Sequence, residues 1–456
     1  MAIDYETSST PGQQLDLKGK LGSLYSGALV VGVVGIIAAF ALALVFDQSI
    51  KRFYFAYLVS FAWFLSLSLG GLFFVILQHL TKAAWSVNVR RIPEWLAASM
   101  PILAILAVPI AIPVLLHRGD IYPWAESSKP HTAEVAADAT KAEAAPAASS
   151  EAKAGKTAEP EEEEITGFKR VFLNPFFWLI RVAVYFTVWS GIGLWYWRQS
   201  LKQDQTGDDN ITAEMQRRSP VSMILFAVTL TLAAFDLLMS LDPSWSSTIF
   251  GVYYFAGSAI GVFATIIVTV LLLQRAGYLR DSVTVEHFHD LGKFLFGFTF
   301  FWGYIGFSQY MLMWYANLPE ETRWYLHRGA TTAEHSFGTT GLTLAALAPW
   351  SYVSVALLFG HLLIPFAGLM SRHVKRFPPL LAFWAVWLLV FHWIDMFWIV
   401  MPEMEYGKFH FGVVEIAAFL GIGGVYLAFV LNRAGHGSVR PLHDPRLQAS
   451  LEFQNI

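Results

Sequence analysis

Long apolar segments are the feature that most constrains this chain. Ten of them follow one another along the sequence, and a helix needs ~20 apolar residues to cross ~30 Å of hydrocarbon. Only 14% of the residues are charged, whereas a soluble domain has roughly 25%. We therefore predict an all-α polytopic membrane protein of about ten transmembrane helices. The predicted helices cover residues 24–46, 53–78, 96–116, 176–197, 220–241, 250–274, 291–316, 341–370, 380–401 and 411–432.

The distribution of Lys and Arg predicts the orientation of these helices. Most lie in the N-terminal segment and in the connections that follow even-numbered helices, and few lie in the short connections that follow odd-numbered ones. Because cytoplasmic loops are enriched in Lys and Arg, we expect residues 1–23 and the tail 433–456 to be cytoplasmic. The polar, partly acidic N-terminal segment is not typical of a signal peptide, so we expect no cleavage there.

One long connection divides the predicted helices into groups. Residues 117–170 separate helices 1–3 (24–116) from helices 4–6 (171–274), and helices 7–10 occupy residues 275–432. This connection is rich in Ala, Glu, Lys, Pro and Ser and ends in a run of four Glu residues. Such a composition cannot bury a core, so we predict a disordered acidic loop on the outer face. A solvated spacer and a docking segment for a basic partner are both open interpretations.

A short motif occurs twice, four predicted helices apart. In each copy an Asp lies seven residues before a Pro, and Phe-Gly-Val then opens the next helix. The copies are Asp236 to Pro243 with residues 250–252, and Asp395 to Pro402 with residues 411–413. The repeat predicts two like-oriented four-helix bundles, helices 3–6 and 7–10, with helices 1 and 2 as an N-terminal addition. A chance match in a biased composition is the alternative.

Several titratable residues lie inside the predicted helices. Each costs several kcal/mol in lipid unless it faces the bundle interior or water, so each is a functional hypothesis. His392 and Asp395 share one face of the ninth helix, and His361 is expected at a similar depth in the eighth. Carboxylates and imidazoles exchange protons, so the set predicts a proton ladder from the outer surface to the midplane. The candidates are Asp236, His361, His392, Asp395 and Glu415.

Three further polar residues have supporting roles in this prediction. Arg181 is the expected counter-ion for one carboxylate, and Gln309 is a possible hydrogen-bonding relay. Asp242 precedes a proline at a helix end, where a turn or cap role is favoured. The structural alternative is that a buried Asp such as Asp236 only caps a neighbouring helix or pairs with Arg181. The spacing of His392 and Asp395 shows no third ligand at that depth, so no metal site is predicted.

The chain contains no cysteine. Disulfides, cysteine-ligated iron–sulfur clusters and covalently attached c-type haem are therefore excluded within this chain. His361 and His392 have the relative depth that one bis-histidine haem b needs. A two-haem cytochrome b bundle, however, needs two well-spaced His on each of two helices, and no predicted helix has that pattern. We do not expect haem b.

Two long stretches resemble a known family. Residues 236–253 read DLLMSLDPSWSSTIFGVY, and residues 291–322 read LGKFLFGFTFFWGYIGFSQYMLMWYANLPEET. Both resemble the F subunit of bacterial alternative complex III, a ten-helix relative of the NrfD/PsrC quinone-associated membrane proteins. The resemblance extends from about residue 20 to 435 apart from the acidic loop, which is longer and more repetitive than the family pattern.

The resemblance implies a quinol:electron-acceptor (cytochrome c) oxidoreductase complex in the bacterial inner membrane, with the acidic loop on the periplasmic side. Its expected partners are a sister NrfD-like subunit, an iron–sulfur subunit and multihaem cytochrome c subunits, with a terminal oxidase as a further candidate. Quinol is the substrate of the complex, and no spacing in this chain predicts a quinol pocket. Three functions remain open: a subunit with a proton path, a structural anchor for peripheral redox subunits, and a stand-alone secondary transporter.

Overall fold

The computed structural model describes residues 17, 21–46, 49–126, 167–334, 340–344 and 348–455. Most of the predicted acidic loop and most of the N-terminal segment lie outside the described residues. The helices are α1 Gly22–Phe46, α2 Ile50–Leu80, α3 Arg91–Ala97, α4 Met100–Leu106, α5 Val108–Leu115, α6 Gly167–Phe172, α7 Pro175–Thr206, α8 Asn210–Leu237, α9 Phe250–Arg275, α10 Val285–Ala316, α11 Pro319–Leu326, α12 Pro349–Leu357, α13 Ile364–Met370, α14 Arg372–Arg376, α15 Pro378–Val400, α16 Val413–Ala434 and α17 Leu447–Leu451. A π-helical turn, Leu358–Leu363, joins α12 to α13. An antiparallel hairpin pairs β1 Ala330–Glu334 with β2 Thr340–Leu344.

Within the described residues, nine helices or helix runs are long and apolar enough to cross a membrane. They confirm the all-α polytopic membrane fold. The run that corresponds to the predicted third helix is broken into α3, α4 and α5, and the run that corresponds to the predicted eighth consists of α12, the π-helical turn and α13. The predicted eighth helix began too early, because residues 340–344 form β2.

Helix α10, the predicted seventh span, is not among these nine. Its 32 residues give a length of about 48 Å at 1.5 Å per residue, which is enough to cross the hydrocarbon. Its sequence contains Trp, Tyr, Gly and Gln residues, which lower its hydropathy. Aromatic residues of this kind are common where a helix meets the membrane interface.

Helix α2 lies at the centre of the bundle. The whole of its most apolar window is buried, and it packs against α3, α8, α9, α15 and α16. Helices α9 and α15, which belong to different halves of the predicted repeat, also pack closely against each other. Helix α2 therefore lies between helices of both halves of the predicted repeat, and the division into two four-helix bundles stays a prediction.

Helix α1 packs against α16, and glycines on both helices form the contact. A Cβ atom at Gly32 would lie 2.4 Å from the backbone nitrogen of Val425, and one at Gly424 would lie 2.5 Å from the nitrogen of Gly32. The two backbones are therefore in direct contact. Small residues at such positions allow helices to associate in lipid by van der Waals packing.

The connections between helices gather on two opposite faces. We call the face that carries the connection between α10 and α12 the loop face; there Trp350 Nε1 donates to the carbonyl of Lys408 at 3.0 Å. The opposite, tail face carries residues 435–455. Arg90 Nη2 binds Asp444 Oδ2 at 2.6 Å. Burial alone would raise the pKa of the Asp444 carboxyl, but the attraction of Arg90 outweighs it, so this pKa lies below its ordinary value. The C-terminal tail is thus packed against the helices.

The glycine contact generates a stability prediction. Gly35→Leu places side-chain atoms where the Cβ alone would already lie 2.6 Å from the nitrogen of Gly421. Overpacking of this kind costs about 1–3 kcal/mol, so the midpoint of thermal unfolding in detergent, followed by tryptophan fluorescence, should fall. Gly27→Leu on the same helix is the control, because a Cβ at Gly27 meets nothing within 4 Å. Equal midpoints for the two variants would contradict the packing described here.

Candidate functional site

A buried polar cluster lies between α2, α9, α10, α15 and the π-helical turn. All of its side chains are buried, four of them at 0% exposure. We call it the Asp395 cluster; its members are Ser66, Tyr253, Trp302, His361, His392 and Asp395. Three of the five sequence-predicted proton candidates are thus brought together, along with three residues that the sequence did not single out.

Asp395 receives its hydrogen bonds from neutral groups. The Tyr253 hydroxyl donates to Oδ1, and the Trp302 indole N–H donates to Oδ2 at 3.2 Å. Within the described part of the chain no Lys or Arg forms an ion pair with this carboxyl group. Burying a carboxylate ion without a cation costs several kcal/mol, and a bound proton removes that cost. The site therefore favours a neutral, protonated Asp395.

His392 presents an unprotonated nitrogen to Asp395. Its Nε2 lies 2.8 Å from the hydroxyl of Ser66, and that hydroxyl donates its single hydrogen to the carbonyl of Trp63 at 2.6 Å. Ser66 must then accept a hydrogen bond from Nε2–H, which leaves a lone pair on Nδ1; the tautomer is inferred from this network.

The gap between His392 and Asp395 is small. Nδ1 lies 4.0 Å from Asp395 Oδ2, and it has no hydrogen-bond partner among the described residues. A hydrogen bond between nitrogen and oxygen needs about 2.7–3.2 Å, so a closure of about 1 Å or one bridging water connects the two groups. Asp395 and His392 thus form a carboxyl–imidazole pair within the cluster.

His361 lies beside this pair with no polar contact of its own. Its ring stacks on that of His392, with the centroids 6.2 Å apart and the planes at 18°. It also packs edge to face on Trp302, with the ring centroids 4.1 Å apart. Neither ring nitrogen has a partner among the described residues. An unmet buried donor costs about 1–3 kcal/mol, so apolar packing alone does not account for a histidine here.

The backbone around His361 is also unusual. The π-helical turn Leu358–Leu363 carries it, and π turns inside α-helices occur frequently at functional sites. The carbonyl of Gly360 in this turn accepts the indole N–H of Trp387 at 2.7 Å. The next residue, His361, has no such partner for its imidazole among the described residues.

Space for the His392 ring comes from a glycine on α9. A Cβ at Gly257 would lie 2.7 Å from Cε1 and 3.0 Å from Nδ1 of His392. These distances are too short for a side chain to share the site. Close packing of α9 on α15 therefore fixes the position of the imidazole.

Asp236 has a different environment. Arg181 binds it with two hydrogen bonds, Nε to Oδ2 at 2.8 Å and Nη2 to Oδ1 at 2.6 Å, and Tyr185 donates its hydroxyl to Oδ2 at 2.6 Å. Arg181 is therefore the counter-ion of this carboxylate. A bidentate, buried pair of this kind holds α7 to α8.

Glu415 is likewise paired. Arg52 at the start of α2 donates to both of its oxygens, at 2.9 and 3.0 Å, and the backbone N–H of Gly412 donates to Oε2 at 2.7 Å. Within the described residues, no hydrogen bond or ion pair joins Asp236 or Glu415 to the Asp395 cluster. The direct contacts therefore place the five candidates in three groups, and a proton ladder that joins all five stays a prediction.

The remaining predicted residues lie toward the loop face. Gln309, seven residues after Trp302 on the same helix, accepts the hydroxyl of Ser247 at 3.1 Å; its relay role stays a prediction. Asp242 accepts the backbone N–H of Ser244 at 3.1 Å, which is the turn contact expected of an Asp before a proline.

Sequence analysis did not identify Ser66, Tyr253 and Trp302. Serine, tyrosine and tryptophan are tolerated in transmembrane helices, and these three are uncharged. The available signal was their position: Trp302 and Tyr253 lie in the two stretches that carry the family resemblance. Nothing in the sequence of α2 distinguishes Ser66 from its neighbours Ser60 and Ser68.

The ion pair of Asp236 generates a prediction. Arg181→Met leaves a buried carboxylate without its cation, a change that typically costs about 3–5 kcal/mol, so the thermal midpoint should fall by several degrees. Adding Asp236→Asn should restore part of it. Arg217→Met is the control, because Arg217 is 78% exposed in its ion pair with Glu214 and such pairs contribute about 0–1 kcal/mol. An Arg181→Met midpoint equal to that of the control would contradict a structural role for the pair.

Comparison with known proteins does not assign the chain to a family. No protein-family model matches the chain, and a search of curated proteins gives no match.

Proposed function

We propose that this chain is a membrane subunit of a quinol:electron-acceptor (cytochrome c) oxidoreductase complex, in which it contributes assembly and a proton path. The observation that supports the proton path most directly is Asp395. It is a fully buried carboxyl group that, among the described residues, accepts hydrogen bonds only from neutral donors. Its Oδ2 faces Nδ1 of His392 at 4.0 Å, and that nitrogen has no hydrogen-bond partner in the same residues.

The cluster has the parts that a proton exchange needs. When Asp395 gives its proton to Nδ1 of His392, the carboxylate keeps the hydrogen bonds from Tyr253 and Trp302 and gains an adjacent imidazolium. The separated charges thus stay within one hydrogen-bonded group, where the local interactions offset much of the cost of burial. The transfer is reversible, because the two protonation states differ by one short movement.

His361 is the next group along this path. Its stacked ring and two unpartnered nitrogens allow it to receive a proton from the His392 side through a water molecule. The loop-face end of the path is expected near Gln309 and Ser247. In this proposal Asp236 and Glu415 are structural, because each is neutralised by an arginine.

The redox part of the proposal rests on the resemblance of residues 236–253 and 291–322 to the F subunit of alternative complex III. It implies a bacterial inner membrane, quinol as the substrate of the complex, and the iron–sulfur, multihaem cytochrome c and sister membrane subunits as partners. The excess of Lys and Arg in the connections on the tail face supports a cytoplasmic position for that face and for both termini. The acidic loop would then be periplasmic.

A structural anchor is the second candidate, and the ion pairs favour it. Asp236 with Arg181 and Glu415 with Arg52 account for two of the three carboxylates among the five proton candidates without any proton movement. A secondary transporter is less well supported. Transporters of the repeat type have broken helices in corresponding positions of both halves, whereas here the breaks lie in the first helix of one half and the second helix of the other.

The proton path is tested in membrane vesicles that contain the native complex. Asp395→Asn keeps the shape of the side chain, but its amide accepts only one of the two hydrogen bonds from Tyr253 and Trp302 and holds no transferable proton. Quinol oxidation should persist while the number of protons moved per electron falls to less than half, and His392→Gln should give the same loss. Glu405→Gln, an exposed carboxyl-to-amide change near the end of the same helix, should leave the ratio unchanged. Unchanged ratios in fully assembled Asp395→Asn and His392→Gln complexes would overturn the proton path.

The partnership is tested separately. The tagged full-length chain is purified from its native membranes, and the proteins that accompany it are identified by mass spectrometry and by their visible spectra. The proposal predicts an iron–sulfur protein and a c-type cytochrome in stoichiometric amounts. A chain that purifies without redox partners would overturn the assignment to an oxidoreductase complex and favour the transporter.

A further inference from the structure

Three potential metal-ligating side chains converge on the loop face, outside the Asp395 cluster. Asp242 comes from the turn after α8, His327 from the end of α11 and Glu403 from the turn after α15. One oxygen or nitrogen atom from each lies within 4.8 Å of the others. They are far apart in the sequence, so only the fold brings them together.

The charges of this group are not balanced. Glu403 Oε1 accepts Nη1 of Arg328 at 2.8 Å, and its Oε2 lies 2.9 Å from Nδ1 of His327. Arg328 is therefore the permanent cation of the group, and it faces two carboxylates, those of Glu403 and Asp242. The site has one negative charge in excess when His327 is neutral.

A second observation points to a ligand. Asp242 is 5% exposed, and while its Oδ1 accepts the backbone N–H of Ser244, its buried Oδ2 has no partner among the described residues. A buried carboxylate oxygen without a partner is costly. A cation held between Asp242, His327 and Glu403 would supply that partner and balance the charge.

We propose that Asp242, His327 and Glu403 bind a divalent transition-metal ion of the Zn²⁺ or Mn²⁺ class. One imidazole nitrogen with two carboxylate oxygens is a ligand set that suits these ions, and imidazole disfavours Ca²⁺ and Mg²⁺. Ligand atoms about 2.0–2.2 Å from such an ion lie roughly 3–4 Å from one another. The three ligand atoms lie within 4.8 Å of one another, so a small movement of the side chains brings them to these distances.

Arg328 then acts as the outer support of the site. Its hydrogen bond to Oε1 leaves Oε2 of Glu403 directed at His327, and Arg328 is itself held by the carbonyls of Trp324 at 2.8 Å and Ile399 at 2.6 Å. Groups that orient a metal ligand in this way commonly change affinity 10–100-fold when they are mutated. Burial lowers the pKa of the Arg328 guanidinium, yet an arginine keeps its charge in proteins.

The site joins the ends of the sequence repeat. Asp242 directly precedes Pro243, and Glu403 directly follows Pro402, so the ends of the two repeated segments meet at one ion. His327 adds the short helix α11, which covers the loop face between them. Metal binding would therefore stabilise the loop face, and the thermal midpoint of the chelator-treated protein should rise by several degrees when the ion is restored.

The test uses the full-length protein, purified in detergent and stripped with a chelator. Binding of Zn²⁺ is measured by calorimetry and binding of Mn²⁺ by electron paramagnetic resonance. The wild type should bind one ion. Asp242→Asn and His327→Gln should each lower the affinity at least tenfold and abolish the rise of the thermal midpoint. His410→Gln is the matched control, since His410 pairs with exposed Glu405 at 3.2 Å and lies outside the site.

Three results would overturn the proposal: no stoichiometric ion on the wild type, unchanged affinity in Asp242→Asn, or an equal loss in His410→Gln. If a variant does not fold, the spectrum of Co²⁺ bound to the wild-type protein decides, because ligation by one imidazole and carboxylates gives a d–d band whose intensity reports the coordination geometry. Absence of a Co²⁺ band that Zn²⁺ displaces would count against the site.

Discussion

Lipid offers no hydrogen-bond partner, so the carboxyl groups buried between these helices depend on partners inside the protein. The structure meets this constraint in two ways. Asp236 and Glu415 take an arginine each, and those pairs tie α7 to α8 and α2 to α16. Among the described residues, Asp395 has only a phenol, an indole and a nearby imidazole as polar neighbours. This difference separates the carboxylates that are paired with a cation from the one for which we propose proton exchange.

The central helix shows how the same constraint organises the fold. Helix α2 is buried along its apolar length and supplies Arg52 to one site and Ser66 to another. The Asp of each copy accepts a tyrosine hydroxyl, Asp236 from Tyr185 and Asp395 from Tyr253, and both tyrosines lie in the first half of the predicted repeat. Among the described residues an arginine binds only Asp236, so a similar motif has a charge-paired environment in one half and a neutral one in the other.

Hydropathy predicted the helices well because their length and apolar character follow from residue composition alone. Counting residues also placed His361 and His392 at the same depth, and their rings stack. The contacts of Ser66, Tyr253 and Trp302 were not predictable, since neutral polar groups leave no periodic signal and their partners lie on other helices. The central place of α2 was missed for the same reason: a helix that is apolar all round looks alike whether it faces lipid or protein.

The central claim is that Asp395 carries a proton that it can exchange. Infrared spectroscopy of the purified protein at neutral pH tests this most directly, because a protonated carboxyl group has a carbonyl stretching band distinct from those of carboxylates and amides. The account predicts such a band, sensitive to exchange into deuterated water, that disappears in Asp395→Asn and persists in Asp236→Asn. A spectrum in which Asp395→Asn removes only a carboxylate band would show that Asp395 is ionised and would contradict the account.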